Sequence, residues 1–221
     1  MRFPLQQGAT PLHVTTATKA ALQRRTRKIL PNLRCCLLSG GGSRRMGRDK
    51  ALLPHPEGGT WLSRTLLLLA QLGAPITLQS RWPQHLSLAG TLGLDGLEAW
   101  SEPQPHEGPL LALNHLMQRY PDQHLLLCPV DMPHLTLTEL ETLEDAAAWN
   151  PRISWVAHDG QHCQPLLGLY TNTAQQRSQL NRLITGGERR FQTWLEQQPR
   201  QMVQLDPASI RNVNHPDELA P

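Results

Sequence analysis

Apolar positions fall into short continuous runs separated by helix-period stripes. Residues 35–38 form a run that stops at Gly40, Gly41 and Gly42, which reads as a buried strand closed by a turn. Residues 60–72 carry a heavy leucine face and end at Gly73 and Pro75, predicting a helix. Residues 76–78 and 97–100 read as the second and third strands. Gly108-Pro109-Leu110 opens another helix, with Pro109 in its first turn. Residues 125–130 are continuously apolar, as in a central strand buried on both faces. Thr136…Glu139 and Thr138…Glu141 are both capping-box patterns, so a helix is expected from here to about Trp149. Residues 153–157 alternate, 158–160 turn, and 165–170 return as a partner strand. Residues 174–184 predict a last helix, ended by Gly186 and Gly187. This alternation points to an α/β fold, a three-layer, doubly wound, mostly parallel sheet. Ligands of such sheets bind at the carboxyl ends of the strands.

Length and charge narrow this picture. A chain of 221 residues fits one domain with a short extension. A net charge of +3, without an aromatic-studded basic surface, argues against a nucleic-acid partner. No apolar run approaches the ~18 residues of a membrane span, so no membrane association is expected. Cys35, Cys36, Cys128 and Cys163 form no Cys-x-x-Cys, and the first three lie in apolar runs. They are expected to be buried free thiols, which suits a cytoplasmic location. No acid precedes Asp49, while Lys19, Arg24, Arg25, Arg27 and Lys28 cluster. Residues 1–33 therefore read as an organelle leader, or as an unstructured extension or a start codon set too far upstream. The unstructured extension is the expectation; residues 17–29 have helical character but no assigned role.

The candidate chemistry lies at two strand ends. In Ser39-Gly40-Gly41-Gly42-Ser43-Arg44-Arg45-Met46-Gly47-Arg48-Asp49-Lys50, glycines let backbone amides approach a ligand, and cations follow at once. Amides plus cations suit a polyphosphate. The spacing is not a P-loop, because Arg48 and Asp49 follow Gly47 where Lys and Ser/Thr belong. Nor is it a dinucleotide fingerprint, because Arg45 stands where the third glycine belongs. The strand at 125–130 ends on Asp131, whose charge needs compensation at a core edge. Mg²⁺ would supply it, since it takes one or two carboxylates along with phosphates and water. The other reading is a capping or salt-bridged aspartate. His162 and Cys163 lack a nearby ligand pair and are not read as a metal site.

The stretch from Leu38 to Lys50 resembles the Leu-x-Gly-Gly-x-x-x-Arg-Met-Gly-x-Asp-Lys signature of nucleotidyltransferases that activate small molecules with an NTP. It is most similar to the molybdenum cofactor guanylyltransferases, the MobA family, with Ser39 where Ala is usual. Gly108-Pro109-Leu110, Asp131-Met132-Pro133, His158-Asp159-Gly160, Gly187-Glu188-Arg189-Arg190 and Asn212-Val213-Asn214 resemble later family segments.

The resemblance implies a Rossmann-like nucleotidyltransferase domain over residues 34–221. It implies transfer of GMP from GTP to the phosphate of molybdopterin, with Mg²⁺ as cofactor and pyrophosphate released. Molybdoenzymes or other cofactor-biosynthesis proteins would be further partners. Leu38, Ser39, Gly40, Gly41, Lys50, Gln79, Glu102 and Asp131 would contact GTP. Arg45, Lys50 and Asp131 would carry catalysis, and Asp131 the metal. Arg189, Arg190, Asn212 and Asn214 would face the pterin. Gly40 favours guanine, because cytidylyl relatives usually have Ala there. Two alternatives stand beside this: a related enzyme using CTP or a sugar phosphate, and a non-catalytic adaptor delivering the cofactor.

Overall fold

The computed structural model describes residues 30–41, 47–102, 108–214 and 218. Within them, β1 (Leu33–Leu38), β2 (Ile76–Ser80), β3 (Leu97–Ser101), β4 (His124–Pro129), β5 (Ser154–His158), β6 (Cys163–Tyr170) and β7 (Arg200–Gln204) form one sheet in the order β3-β2-β1-β4-β6-β5-β7. β6 pairs antiparallel with both neighbours, while the remaining pairs are parallel. The described strands other than β6 thus end on one edge of the sheet.

Six α-helices are described: α1 (Trp61–Ala70), α2 (Pro83–Thr91), α3 (Pro109–Arg119), α4 (Leu137–Trp149), α5 (Ala174–Thr185) and α6 (Phe191–Glu196). Successive residues of a strand face opposite sides. Cys35, Leu37, Leu78 and Leu126 accordingly pack with Leu62, Leu66 and Leu69 of α1 and Leu140 and Leu143 of α4. Cys36, Leu125 and Leu127 pack on the other face with Leu113 and Leu116 of α3 and Trp194 of α6. Each fully buried leucine contributes roughly 1.5–3 kcal/mol, so the strands are held from both faces. The three-layer, mostly parallel architecture matches the expectation.

Capping boxes start three helices: Thr60 with Ser63, Thr136 with Glu139, and Thr173 with Gln176. Of the two patterns before α4, the chain uses the first. Gly73 takes φ 72° after α1, where an L-residue with a Cβ would be strained. The folded unit begins earlier than a boundary at residue 34. Leu30 is buried in the core, its N–H donates to Glu144 Oε1 at 3.1 Å, and β1 starts at Leu33. The four cysteines are free thiols. Among the described residues no helix is long and apolar enough to cross a membrane.

Three elements carry too little apolar pattern to be read from the chain. In α2 only His85 and Ala89 are buried. β7 is an edge strand with Val203 as its buried residue. α6 spans only six residues.

Candidate active site

β1 lies between β2 and β4, with Leu38 level with Gln79 on one side and Pro129 on the other. The Ser39 N–H continues the pairing to the Gln79 carbonyl at 3.0 Å. The chain then leaves the sheet through Gly40 and Gly41. Gly40 needs no positive φ. Its glycine is explained by a neighbour, because a Cβ there would fall inside the Glu102 carboxylate. Glu102 follows β3 and is held there by its N–H, which donates to the Ser80 carbonyl at 3.1 Å. The Gly41 carbonyl accepts from Trp82 Nε1 at 3.2 Å. Gly42 and Arg45 lie outside the described residues.

The chain re-enters at Asp49, which caps a short 3-10 turn, Lys50–Leu52, by accepting the Ala51 N–H at 3.1 Å. The Lys50 ammonium donates to Asp131 Oδ2 at 3.3 Å and to Asn214 Oδ1 at 2.7 Å. Both charged side chains are withdrawn from water, at 12% and 26% exposure. Removing either partner would leave the other charge poorly compensated. The C-terminal segment is stitched in, since the Val213 N–H donates to the Asp131 carbonyl at 2.9 Å. The Asn214 N–H in turn donates to Glu218 Oε2 at 2.5 Å. His55 Nε2 donates to the Pro133 carbonyl at 2.9 Å, while His55 Nδ1 accepts the Glu57 N–H. That contact steadies the loop after Asp131.

Beside this cluster stands the turn between β5 and β6. Asp159 accepts the backbone N–H groups of His162 and Gln161 and the Gln164 amide. The two backbone donors, His162's first, hold its carboxyl below the usual aspartate range. His158 Nδ1 accepts the Gly160 N–H at 2.9 Å, a turn role. Asn212 Nδ2 donates to Gln164 Oε1 at 2.9 Å. Asn212 and Asn214 therefore reach different neighbours, one the β6 side and the other Lys50.

Two sequence expectations change in detail. Gln79 belongs to β2 itself, not to the loop after it, and is fully buried; its amide has no hydrogen-bond partner. Its register neighbour Trp100 also has a buried, unpaired Nε1. Arg189 and Arg190 are committed locally. Arg189 Nη1 caps the end of α5 by donating to the Ile184 carbonyl at 3.0 Å and also to the Glu188 carbonyl. Arg190 pairs with Glu188 at 3.3 Å. Bonds from the Arg190 side chain and N–H pull the Glu188 carboxyl down to about 2. The strand-end edge gathers Leu38, Ser39, Gly40, Gly41, Glu102, Lys50, Asp131 and Asn214.

Sequence reasoning missed His85, Trp82 and Gln164. His85 is 1% exposed and touches Ser39, Ser80 and Asp49. Its partners Ser39 and Asp49 lie 46 and 36 residues away along the chain, so no local pattern marks it.

Among the described residues no group of three or more His, Cys, Asp or Glu could enclose a metal. The donor set around Lys50 is the Asp131 carboxylate with the Asn214 carboxamide. That set fits Mg²⁺, which completes its shell with phosphates and water, and does not fit an all-protein cage.

The profile of the MobA-like NTP transferase domain matches residues 35–202. A probable molybdenum cofactor guanylyltransferase of Rhodopirellula baltica is 31% identical over 199 residues, covering 86% of this chain and 92% of its own. The molybdopterin-guanine dinucleotide biosynthesis protein A of Archaeoglobus fulgidus superposes with a TM-score of 0.68 at 19% identity, covering 84% of this chain and 94% of its own. A manganese complex of Rv0371c from Mycobacterium tuberculosis superposes with a TM-score of 0.59 at 16% identity, covering 85% and 95%. The matched span takes in both the glycine bend after β1 and the aspartate after β4, and on that ground the chain belongs to the MobA-like NTP transferase family.

Proposed function

We propose that this protein transfers GMP from GTP to the phosphate of molybdopterin, releasing pyrophosphate and forming the guanine dinucleotide cofactor. The observation that carries the reading is Lys50, held between Asp131 and Asn214 where the glycine bend returns to the sheet. A lysine so placed meets a triphosphate lying on the amides of residues 39–41. The phosphates would compete with Asp131 for the ammonium, and a divalent cation would take over the compensation of Asp131. Mg²⁺, held by Asp131, would withdraw charge from the α-phosphate and steady the leaving pyrophosphate. The chain's own part is to place and neutralise. Lys50 balances phosphate charge, and Arg45 is assigned the same task. Glu102 is assigned to guanine and ribose, while Gln79 stays fully buried in β2. Asn212, with Arg189 and Arg190, is assigned to the pterin side. No covalent enzyme intermediate is needed, since in-line attack requires alignment and charge stabilisation. The relatives' names support this substrate pair. The protein is assigned to the cytoplasm, where its four thiols stay reduced.

The test is pyrophosphate release from purified protein with Mg²⁺, molybdopterin and each of the four NTPs. GTP should turn over, CTP poorly, and EDTA should abolish the reaction. Equal rates with GTP and CTP would defeat the guanylyl assignment. No turnover with any NTP would defeat the enzyme reading and favour an adaptor.

A further inference from the structure

The loop that leaves β1 and returns at Lys50 has two described ends, Ser39 to Gly41 and Gly47 to Lys50. A single buried ring touches both. His85 Nε2 lies 2.7 Å from Asp49 Oδ2. His85 Nδ1 lies 3.0 Å from Ser39 Oγ, 3.1 Å from the Ser39 carbonyl and 2.9 Å from Ser80 Oγ. The partners assign the tautomer. A carboxylate only accepts, so Nε2 carries the proton and donates to Asp49. Ser80 Oγ donates its proton to the Ser39 carbonyl at 2.9 Å and accepts the Trp82 N–H at 3.1 Å. In the neutral ring, the hydroxyl left to donate to Nδ1 is that of Ser39.

We propose that His85 is a positioning residue that, seated against Ser39 at one end of the nucleotide loop, holds Asp49 at the other end and through Asp49 sets Lys50. The proposal rests on the guanylyltransferase reading and deepens it. Asp49 receives the imidazole on Oδ2 and caps the Lys50–Leu52 turn with Oδ1. With the ring in place, the carboxylate cannot swing away from the turn that carries Lys50. The same ring holds Ser39, the residue whose carbonyl precedes Gly40. Its position in α2 makes that helix a brace for the loop as well as a cover for β2 and β3. A histidine serving only to fill the core would need no carboxylate at Nε2.

Asn and Gln separate the two halves of the clamp. The amide in His85→Asn reaches the place of Nδ1 and keeps the serine contacts but releases Asp49. The amide in His85→Gln reaches the place of Nε2 and keeps Asp49. The measurement is calorimetric titration of each variant with GTP and Mg²⁺, without pterin, together with thermal melts. His85→Asn should weaken binding about tenfold or more, the scale of one charge-assisted hydrogen bond. His85→Gln should stay within about threefold of wild type, since it keeps that bond. Asp49→Ala should show the loss by itself, and the double variant with His85→Asn should lose no more, because the two act as a unit. Asp49→Ala also stands in should His85→Asn not fold. Binding by His85→Asn or Asp49→Ala equal to wild type overturns the clamp, as does an equal loss in His85→Gln. A change in melting temperature alone, with affinity intact, assigns His85 to the core. Wild type that binds no NTP with Mg²⁺ overturns the guanylyltransferase reading and the clamp together. Binding by wild type with His85→Asn unaffected overturns the clamp alone.

Discussion

A methyl group on Gly40 would fall inside the Glu102 carboxylate. The glycine is thus a matter of close approach and not of backbone angle, and the space it leaves is occupied by an acid. Gly40→Ala must push Glu102 off the end of β3, away from where the base or ribose would lie. Losing one hydrogen bond to a charged group costs about 1.5–3 kcal/mol, or roughly ten- to a hundredfold in kcat/KM. The expected outcome is a drop of that size with GTP and a smaller drop with CTP, so the preference narrows. The melting temperature should hold, because the site is at the surface edge. Steady-state kinetics with both nucleotides check this, and an unchanged GTP/CTP ratio would detach Gly40 from base choice. Asp131 shows the same dependence of a residue on its neighbours. Its compensation comes from Lys50, which the sequence placed in the phosphate loop without linking the two.

At the scale of elements, β1, β2, β3 and α3 are tied at the end of the sheet away from the site. Arg34 of β1 reaches Glu98 of β3, Thr77 of β2 and Gln123, and lies over the Tyr120 ring. Partial burial alone would raise the Glu98 carboxyl. The Tyr120 hydroxyl, the Arg34 charge and Arg119 outweigh it and hold the carboxyl below its ordinary 4.5. Its folded value is depressed, so its contribution is present above pH 4.5 and is lost as pH falls through the folded value. Glu98 is 42% exposed, which keeps the contribution to about 1 kcal/mol or less. Melts of wild type and Glu98→Gln should differ most near neutral pH and converge in acid. A constant gap at every pH would mean the charge carries none of it. Elements with two buried faces were legible in the sequence: residues 125–130 could only be a central strand. β7 and α2 were not, because one or two buried residues leave no period to read. Gln79 was misplaced for the same reason, since the polar Gln-Ser-Arg run looked like a loop while the sheet continued through Ser80.

For the molecule as a whole, the readable half of the site is the half that is contiguous in sequence. The glycine bend, Lys50 and Asp131 each sit in a recognisable run. What joins them is long-range: Asn214 to Lys50 across 164 positions and His85 to Ser39 across 46. Such pairings are set by sheet order and cannot be read from spacing. The start of the folded unit is another such case. Residues 30–33 look like the tail of a basic leader, yet Leu30 is 2% and Leu33 4% exposed, packed with the face built on α1 and α4. The Leu30 N–H also bonds the buried Glu144 carboxylate of α4. A chain starting at Leu30 keeps both leucines in the core and serves as the reference. A chain starting at Arg34 exposes the core where two leucines stood and leaves Glu144 without the Leu30 donor. Burial of two leucines predicts a loss of at least about 3 kcal/mol. For a domain of this size that corresponds to a drop on the order of 6–12 °C. Equal melting of the two truncated chains would mean that residues 30–33 only rest on the fold, and the boundary would return to 34.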